Sequence, residues 1–178
     1  NSNKNYIPMM GLHPCSIDAN YSNTIEKIRI ELFKSKEKFI AVGEIGIDLY
    51  WDKTYVQEQM DAFRQQILWA KELKLPIVIH ARESYPEIFK VLDEENDNDL
   101  KGVFHCFSGT ESDAEHILSY GGFKMGLGGT ITYKKSKLPG VIKNIDLSNI
   151  LLETDAPYLA PRPFRGKRNE SSYLTYVV

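Results

Sequence analysis

Cysteine is scarce in this chain. Two residues, Cys15 and Cys106, stand far apart in 178, without CxxC spacing. Two distant thiols make a poor disulfide scaffold and suit a reducing compartment, so a cytoplasmic location is expected. An excess of one charge is lacking as well: 22 Lys and Arg face 24 Asp and Glu, a formal net charge of −2. No global basic field marks a nucleic-acid or membrane surface, and any anion site must come from a local cluster. No apolar run reaches the roughly 18 residues that a membrane-spanning helix needs, and no charged-then-apolar leader opens the chain. No linker rich in Gly, Pro or Ser interrupts it, so a single domain over residues 1–178 is expected. The glycine pairs Gly121-Gly122 and Gly128-Gly129 do not read as GxGxxG between strand and helix, and tight turns suit them better.

The composition that remains, 42% hydrophobic, 26% charged and 11% aromatic, describes a globular domain. Short apolar runs alternate with amphipathic stretches. Phe39–Val42, Ile77–Ile79, Gly102–Phe104 and Ile150–Leu152 read as strands, with weaker ones at Ile7–Met10 and Phe123–Leu127. Runs of this kind fit strands buried on both faces of a parallel sheet. Between them, Val56, Met60, Phe63, Ile67 and Ala70 recur at helical spacing, as do residues in 25–32, 88–92 and 114–120. Trp69 and Phe89 read as core. Six βα units are expected, in an open doubly wound sheet or part of an eightfold barrel.

Polar residues follow the strands. His13, Glu44, His80, His105 and Asp155 each stand just after an apolar run. In a parallel sheet those ends open on one face, where function sits in both architectures. Several ionisable groups gathered there require charge compensation, which a divalent metal supplies; His and carboxylate donors suit Zn²⁺, Mn²⁺ or Mg²⁺. His116 lies in a helical pattern and reads as surface or core edge. Strand parity turns Cys106 away from His105, so Cys106 is expected to be packed rather than a ligand. After Asp155, a Pro- and Gly-punctuated loop carries Arg162, Arg165, Lys167 and Arg168, a candidate phosphate grip, with Arg82 a second.

Gly11-Leu12-His13-Pro14, Gly43-Glu44-Ile45-Gly46-Ile47-Asp48, Ile79-His80-Ala81-Arg82, His105-Cys106-Phe107-Ser108-Gly109 and Glu153-Thr154-Asp155-Ala156-Pro157 occur in this order, followed by Gly166-Lys167-Arg168-Asn169-Glu170. The set resembles the TatD family of metal-dependent hydrolases, described as deoxyribonucleases, in the amidohydrolase superfamily. The resemblance implies a (β/α)₈ TIM-type barrel, present here as about six βα units. It implies two metal ions, Glu44 bridging them, His80 and His105 completing the second, and Asp155 binding the first and orienting the attacking water. His13 and Arg82 are implied as substrate or phosphate contacts. DNA is the implied substrate, cleaved by metal-activated water; no membrane or obligate protein partner is evident.

The family's His-x-His pair on the first barrel strand has no counterpart here, since the four histidines are isolated. The chain also ends in an apolar pattern at Val178, so most of a barrel is expected rather than all of one. With that pair missing, one metal is expected to bind better than two, and this chain alone is expected to be impaired. Two other functions stay open: a metal-dependent hydrolase of a small ester, lactone or amide, and a non-catalytic barrel remnant acting as a binding module.

Overall fold

In a computed structural model, residues 6–178 are described. Five helices and five strands alternate: α1 (Tyr21–Lys34), β1 (Val42–Asp48), α2 (Val56–Leu73), β2 (Ile77–Arg82), α3 (Tyr85–Glu95), β3 (Gly102–His105), α4 (Glu111–Ser119), β4 (Phe123–Leu127), α5 (Leu138–Ile142) and β5 (Ile150–Leu152). The strands form one α/β sheet in the order β1-β2-β3-β4-β5, which is not closed into a barrel. The chain divides into two compact units, Asn1–Gly102 and Val103–Val178.

In the first unit β1 and β2 run parallel, with Val42 opposite Ile77 and Asp48 opposite Arg82. The core is the set of side chains that alternation sends inward: Val42, Ile45, Ile47, Ile77 and Ile79 are all fully buried. Helix α2 buries Met60, Phe63, Ile67 and Ala70 of the stripe read from the sequence, with Ala62 and Trp69 beside them, and leaves Val56 of that stripe half-buried. Full burial of a side chain such as Phe63 contributes roughly 1.5–3 kcal/mol. The helix stops where Lys74 turns left-handed (φ 55°), and Pro76 then feeds β2.

Two strand expectations are corrected here. Ile7–Met10 is not a strand: only Met10 bridges to Val42. Pro8 has no amide hydrogen to offer a ladder, and Ile7 is 63% exposed. Among the described residues, five strands therefore replace the expected six. The strand placed at Phe39–Val42 begins at Val42 instead, because a tight turn at Lys36–Lys38 runs into Phe39 and leaves Ile40 exposed. The motif Gly43–Asp48 is thus the strand itself rather than the loop after it.

Helix α2 also buries two glutamines. Gln66 accepts from the Leu12 amide at 2.6 Å and donates to the Leu12 carbonyl at 3.3 Å. Gln59 does the same for Asp48, at 2.8 Å and 3.3 Å. Each side chain satisfies both polar groups of one residue in a stretch that carries site residues. Gln66→Leu strands the buried Leu12 amide and carbonyl, so a loss of about 1–3 kcal/mol is expected in urea denaturation. A loss below the error of that measurement would show that the amide finds another partner.

In the second unit β4 and β5 are parallel, with Met125 opposite Ile150 and Leu127 opposite Leu152. Phe104, Phe107, Ile117 and Met125 are buried, and the Phe104 and Phe123 rings meet edge to face at 5.8 Å. Thr110 and Asp113 cap α4 reciprocally. β5 departs from the reading of strands covered on both faces. It is the edge of the sheet, and Leu151 and Leu152 are 43% and 46% exposed.

Candidate metal centre

The first unit gathers three of the expected site residues. Glu44 sits where the β1–β2 register slips between Gly43 and Ile45, the extra residue of a bulge. Bulges redirect side chains, and the Glu44 carboxylate Oε2 lies 3.7 Å from His13 Nε2 and 3.8 Å from His80 Nδ1. His13, Glu44 and His80 can bring one donor atom each within 4.8 Å of one another. His13 caps the turn Pro14–Ser16: its Nδ1 accepts from the Cys15 amide at 3.1 Å. In a neutral ring the proton then resides on Nε2, which faces Glu44 as a donor.

His80 is held differently. Its Nε2 meets Asp48 Oδ2 at 2.8 Å, so Nδ1 is the nitrogen presented toward Glu44. A carboxylate behind one ring nitrogen fixes the tautomer and raises the donor strength of the other, a common arrangement behind metal-ligating histidines. Burial opposes ionisation of Asp48, yet hydrogen bonds from His80, the Tyr50 amide and Cys15 hold its carboxyl below the usual range.

The second unit repeats the device. His105 ends β3, with Nδ1 at 2.7 Å from Glu153 Oε2 and Nε2 at 3.5 Å from Asp155 Oδ1. Glu153 is tied in turn to the Cys106 amide. Burial disfavours a charged His105, but hydrogen bonds to Asp155, Cys106 and Glu153 outweigh it and hold its pKa far above the imidazole norm.

The parity argument for Cys106 fails. The strand stops at His105, Cys106 takes a left-handed conformation (φ 46°), and its sulfur comes into the reach of His105 and Glu153. Alternation applies only while the backbone stays extended. Burial pushes the thiol upward against the opposing influence of His105.

Other expected residues fall as follows. His116 is half-buried on α4, with Nε2 3.2 Å from the Tyr120 hydroxyl. Arg82, at the end of β2, is exposed and lies over the Tyr50 ring at 3.7 Å. Arg165 stacks on Tyr133 at 4.6 Å and lines a cavity of about 560 Å³ together with Lys134, Lys135 and Lys137. Arg162, Lys167 and Arg168 are exposed and outside that lining. Their loop is anchored by buried Asn169, which donates to the Tyr158 carbonyl at 2.7 Å. The three lysines, Asp48 and Glu153 went unassigned in the sequence. Asp48 and Glu153 sit inside the quoted motifs, the signal that could have found them.

The donor set fits a divalent cation. In each unit a histidine has one nitrogen fixed by a carboxylate and its other nitrogen directed at a second carboxylate, so hard oxygen and borderline nitrogen donors converge.

Comparison with known proteins agrees. The chain is 40% identical over 169 residues to the uncharacterized metal-dependent hydrolase YabD of Bacillus subtilis, covering 94% of this chain and 65% of that protein. It is 33% identical over 175 residues to the 3'-5' ssDNA/RNA exonuclease TatD of Cronobacter sakazakii, again 94% of this chain and 65% of the relative. The crystal structure of YjjV, a TatD homolog from Escherichia coli, superposes with a TM-score of 0.88 at 34% identity, covering 97% of this chain and 68% of that one. The chain thus spans about two thirds of its relatives' length. The model of the TatD related DNase family matches residues 1–178, and the chain belongs to that family.

Proposed function

We propose that the protein is a divalent-metal-dependent hydrolase of DNA phosphodiester bonds, acting in the cytoplasm. One observation carries the phosphodiester over a small ester, lactone or amide: the cavity that Lys134, Lys135, Lys137 and Arg165 line. Four cations around one hollow neutralise phosphate charge locally in a chain of net charge −2. An uncharged lactone gains nothing from them. Ser108 and Gly109, three and four residues after His105 in the sequence, line the same cavity.

Glu44 with His80, and Asp155 with His105, would each hold a cation, which supplies Lewis-acid activation of water and of a phosphoryl oxygen. Asp48 and Glu153 hold the two imidazoles in register. His13, with its proton on Nε2, donates to a phosphate oxygen. Asp155 orients the attacking water. Arg165, steadied on Tyr133, bears on the negative charge that grows in the transition state.

Replacing Lys134, Lys135 and Lys137 together by alanine should raise KM for a single-stranded oligonucleotide by more than about tenfold and leave kcat within about twofold. The log–log dependence of KM on salt should flatten by about 0.7 for each phosphate deprived of its cation. An unchanged KM and salt slope would remove the cavity from the substrate path and favour the small-ester reading. A binding module without catalysis predicts no stoichiometric metal in the purified protein.

A further inference from the structure

We propose that Tyr50, Trp51 and Arg82 form a stacking subsite that takes one nucleobase of a single-stranded polynucleotide, a subsite that rests on the phosphodiesterase reading. Trp51 is 77% exposed and Tyr50 46%, and the two rings meet edge to face at 4.7 Å. Isolated exposed aromatics are ordinary. This pair is held in place. The Tyr50 amide donates to Asp48 Oδ1 at 3.0 Å, while Oδ2 of the same carboxylate holds His80. The Leu49 amide donates to the Arg82 carbonyl at 2.9 Å, and the Arg82 guanidinium lies 3.7 Å from the Tyr50 ring centre and 5.7 Å from that of Trp51. One buried carboxylate therefore sets both the histidine and the aromatic shelf.

Beside the shelf is a cleft of about 280 Å³, walled by Pro14, Trp51 and Tyr55 and by Asp48, Asp52 and Gln59. Its volume lies at the low end for small-molecule sites, enough for one flat ring system rather than a whole nucleotide. Its charge selects further. Asp52 is fixed in the wall by the Thr54 amide at 2.8 Å and hydroxyl at 2.6 Å. The two carboxylates repel a phosphate, and the exposed one, Asp52, accepts an N–H group of a base edge. The phosphate attached to that base is left to Arg82, at the rim. A base within a duplex has both faces stacked on its neighbours, so an aromatic shelf takes only a base that is already unstacked.

The test uses the intact protein in chelator, so that no cleavage occurs, titrated with a short oligothymidylate and with an abasic deoxyribose-phosphate oligomer of the same length. Anisotropy of end-labelled oligomers reports affinity for every variant, and quenching of Trp51 intrinsic fluorescence, over the constant background of buried Trp69, reports base contact in the unsubstituted protein. The expected result is quenching by oligothymidylate, with affinity about tenfold above that of the abasic oligomer. Trp51→Ala abolishes that difference, and Trp51→Phe keeps most of it. Equal affinity for the two oligomers, or a Trp51→Ala protein that still distinguishes them, overturns the subsite. Cleavage assays with metal restored report separately on the hydrolase. Cleavage without base-dependent binding defeats the subsite alone; base-dependent binding without cleavage defeats the hydrolase reading alone.

Discussion

Glu44→Ala in the intact protein is expected to lower kcat/KM for metal-dependent hydrolysis of single-stranded DNA by more than about a hundredfold, roughly 2.7 kcal/mol of transition-state stabilisation. Glu44 Oε2 lies toward both His13 Nε2 and His80 Nδ1, at 3.7 and 3.8 Å. Asp48, the neighbouring carboxylate, is already committed to His80 Nε2 and to the Tyr50 amide, so it cannot take over without releasing both. The Glu44 side chain is only partly buried, at 25% exposure, so the fold should survive its removal with an unchanged circular dichroism spectrum. Asp155→Ala, with a side chain at 32% exposure, should behave alike. Bound metal measured by mass spectrometry should fall in parallel. Near-normal activity in either purified variant counts against the assignment of these carboxylates.

The second large effect concerns stability. Gly46 has φ 137°, pairs with His80 across the β1–β2 ladder, and leaves no space for a side chain. A Cβ there would sit inside the contact radius of the His80 carbonyl oxygen. Because the obstacle is backbone, the strands must part or the residue must change conformation. Gly46→Ala is expected to cost about 3 kcal/mol or more in chemical denaturation. Gly121→Ala is the matched control, since φ is 76° but nothing lies within 4 Å of the added carbon. That substitution should cost about 1 kcal/mol, the conformational strain alone. Equal losses at the two glycines would mean that crowding at His80 is relieved without cost.

The periodic parts of the fold were legible from the residues. The stripe Met60, Phe63, Ile67, Ala70 and the strands around Ile77–Ile79 and Phe123–Leu127 follow from burial alone, and burial is what hydrophobic spacing records. Errors arose where backbone chemistry overrides spacing. Pro8 cannot donate to a ladder, the Lys36–Lys38 turn displaces the start of β1, and the left-handed Cys106 breaks the alternation that was used to exclude it. Histidines and acidic residues stood out because few residue types carry such chemistry. Gln59 and Gln66 did not, since a glutamine on a helix reads as solvent-facing until its partner is seen. Lys134, Lys135 and Lys137 were hidden for the same reason: isolated from Arg165 in sequence, they look like an ordinary wet turn, and only the tertiary structure gathers them around one hollow.

Those two glutamines make α2 a gauge. They lie two helical turns apart, about 10.5 Å along the axis, and each grips a different stretch of backbone: Leu12, next to His13, and Asp48, behind His80. The spacing between the two grips is therefore fixed by the helical rise over two turns, a length that hardly varies with conditions. Any shift of the helix along or about its axis carries both stretches together and preserves their separation. Only fraying between the grips can alter it. Amide hydrogen exchange across 59–66 should accordingly track the cation affinity of the first unit from variant to variant, even where no substituted residue touches the site.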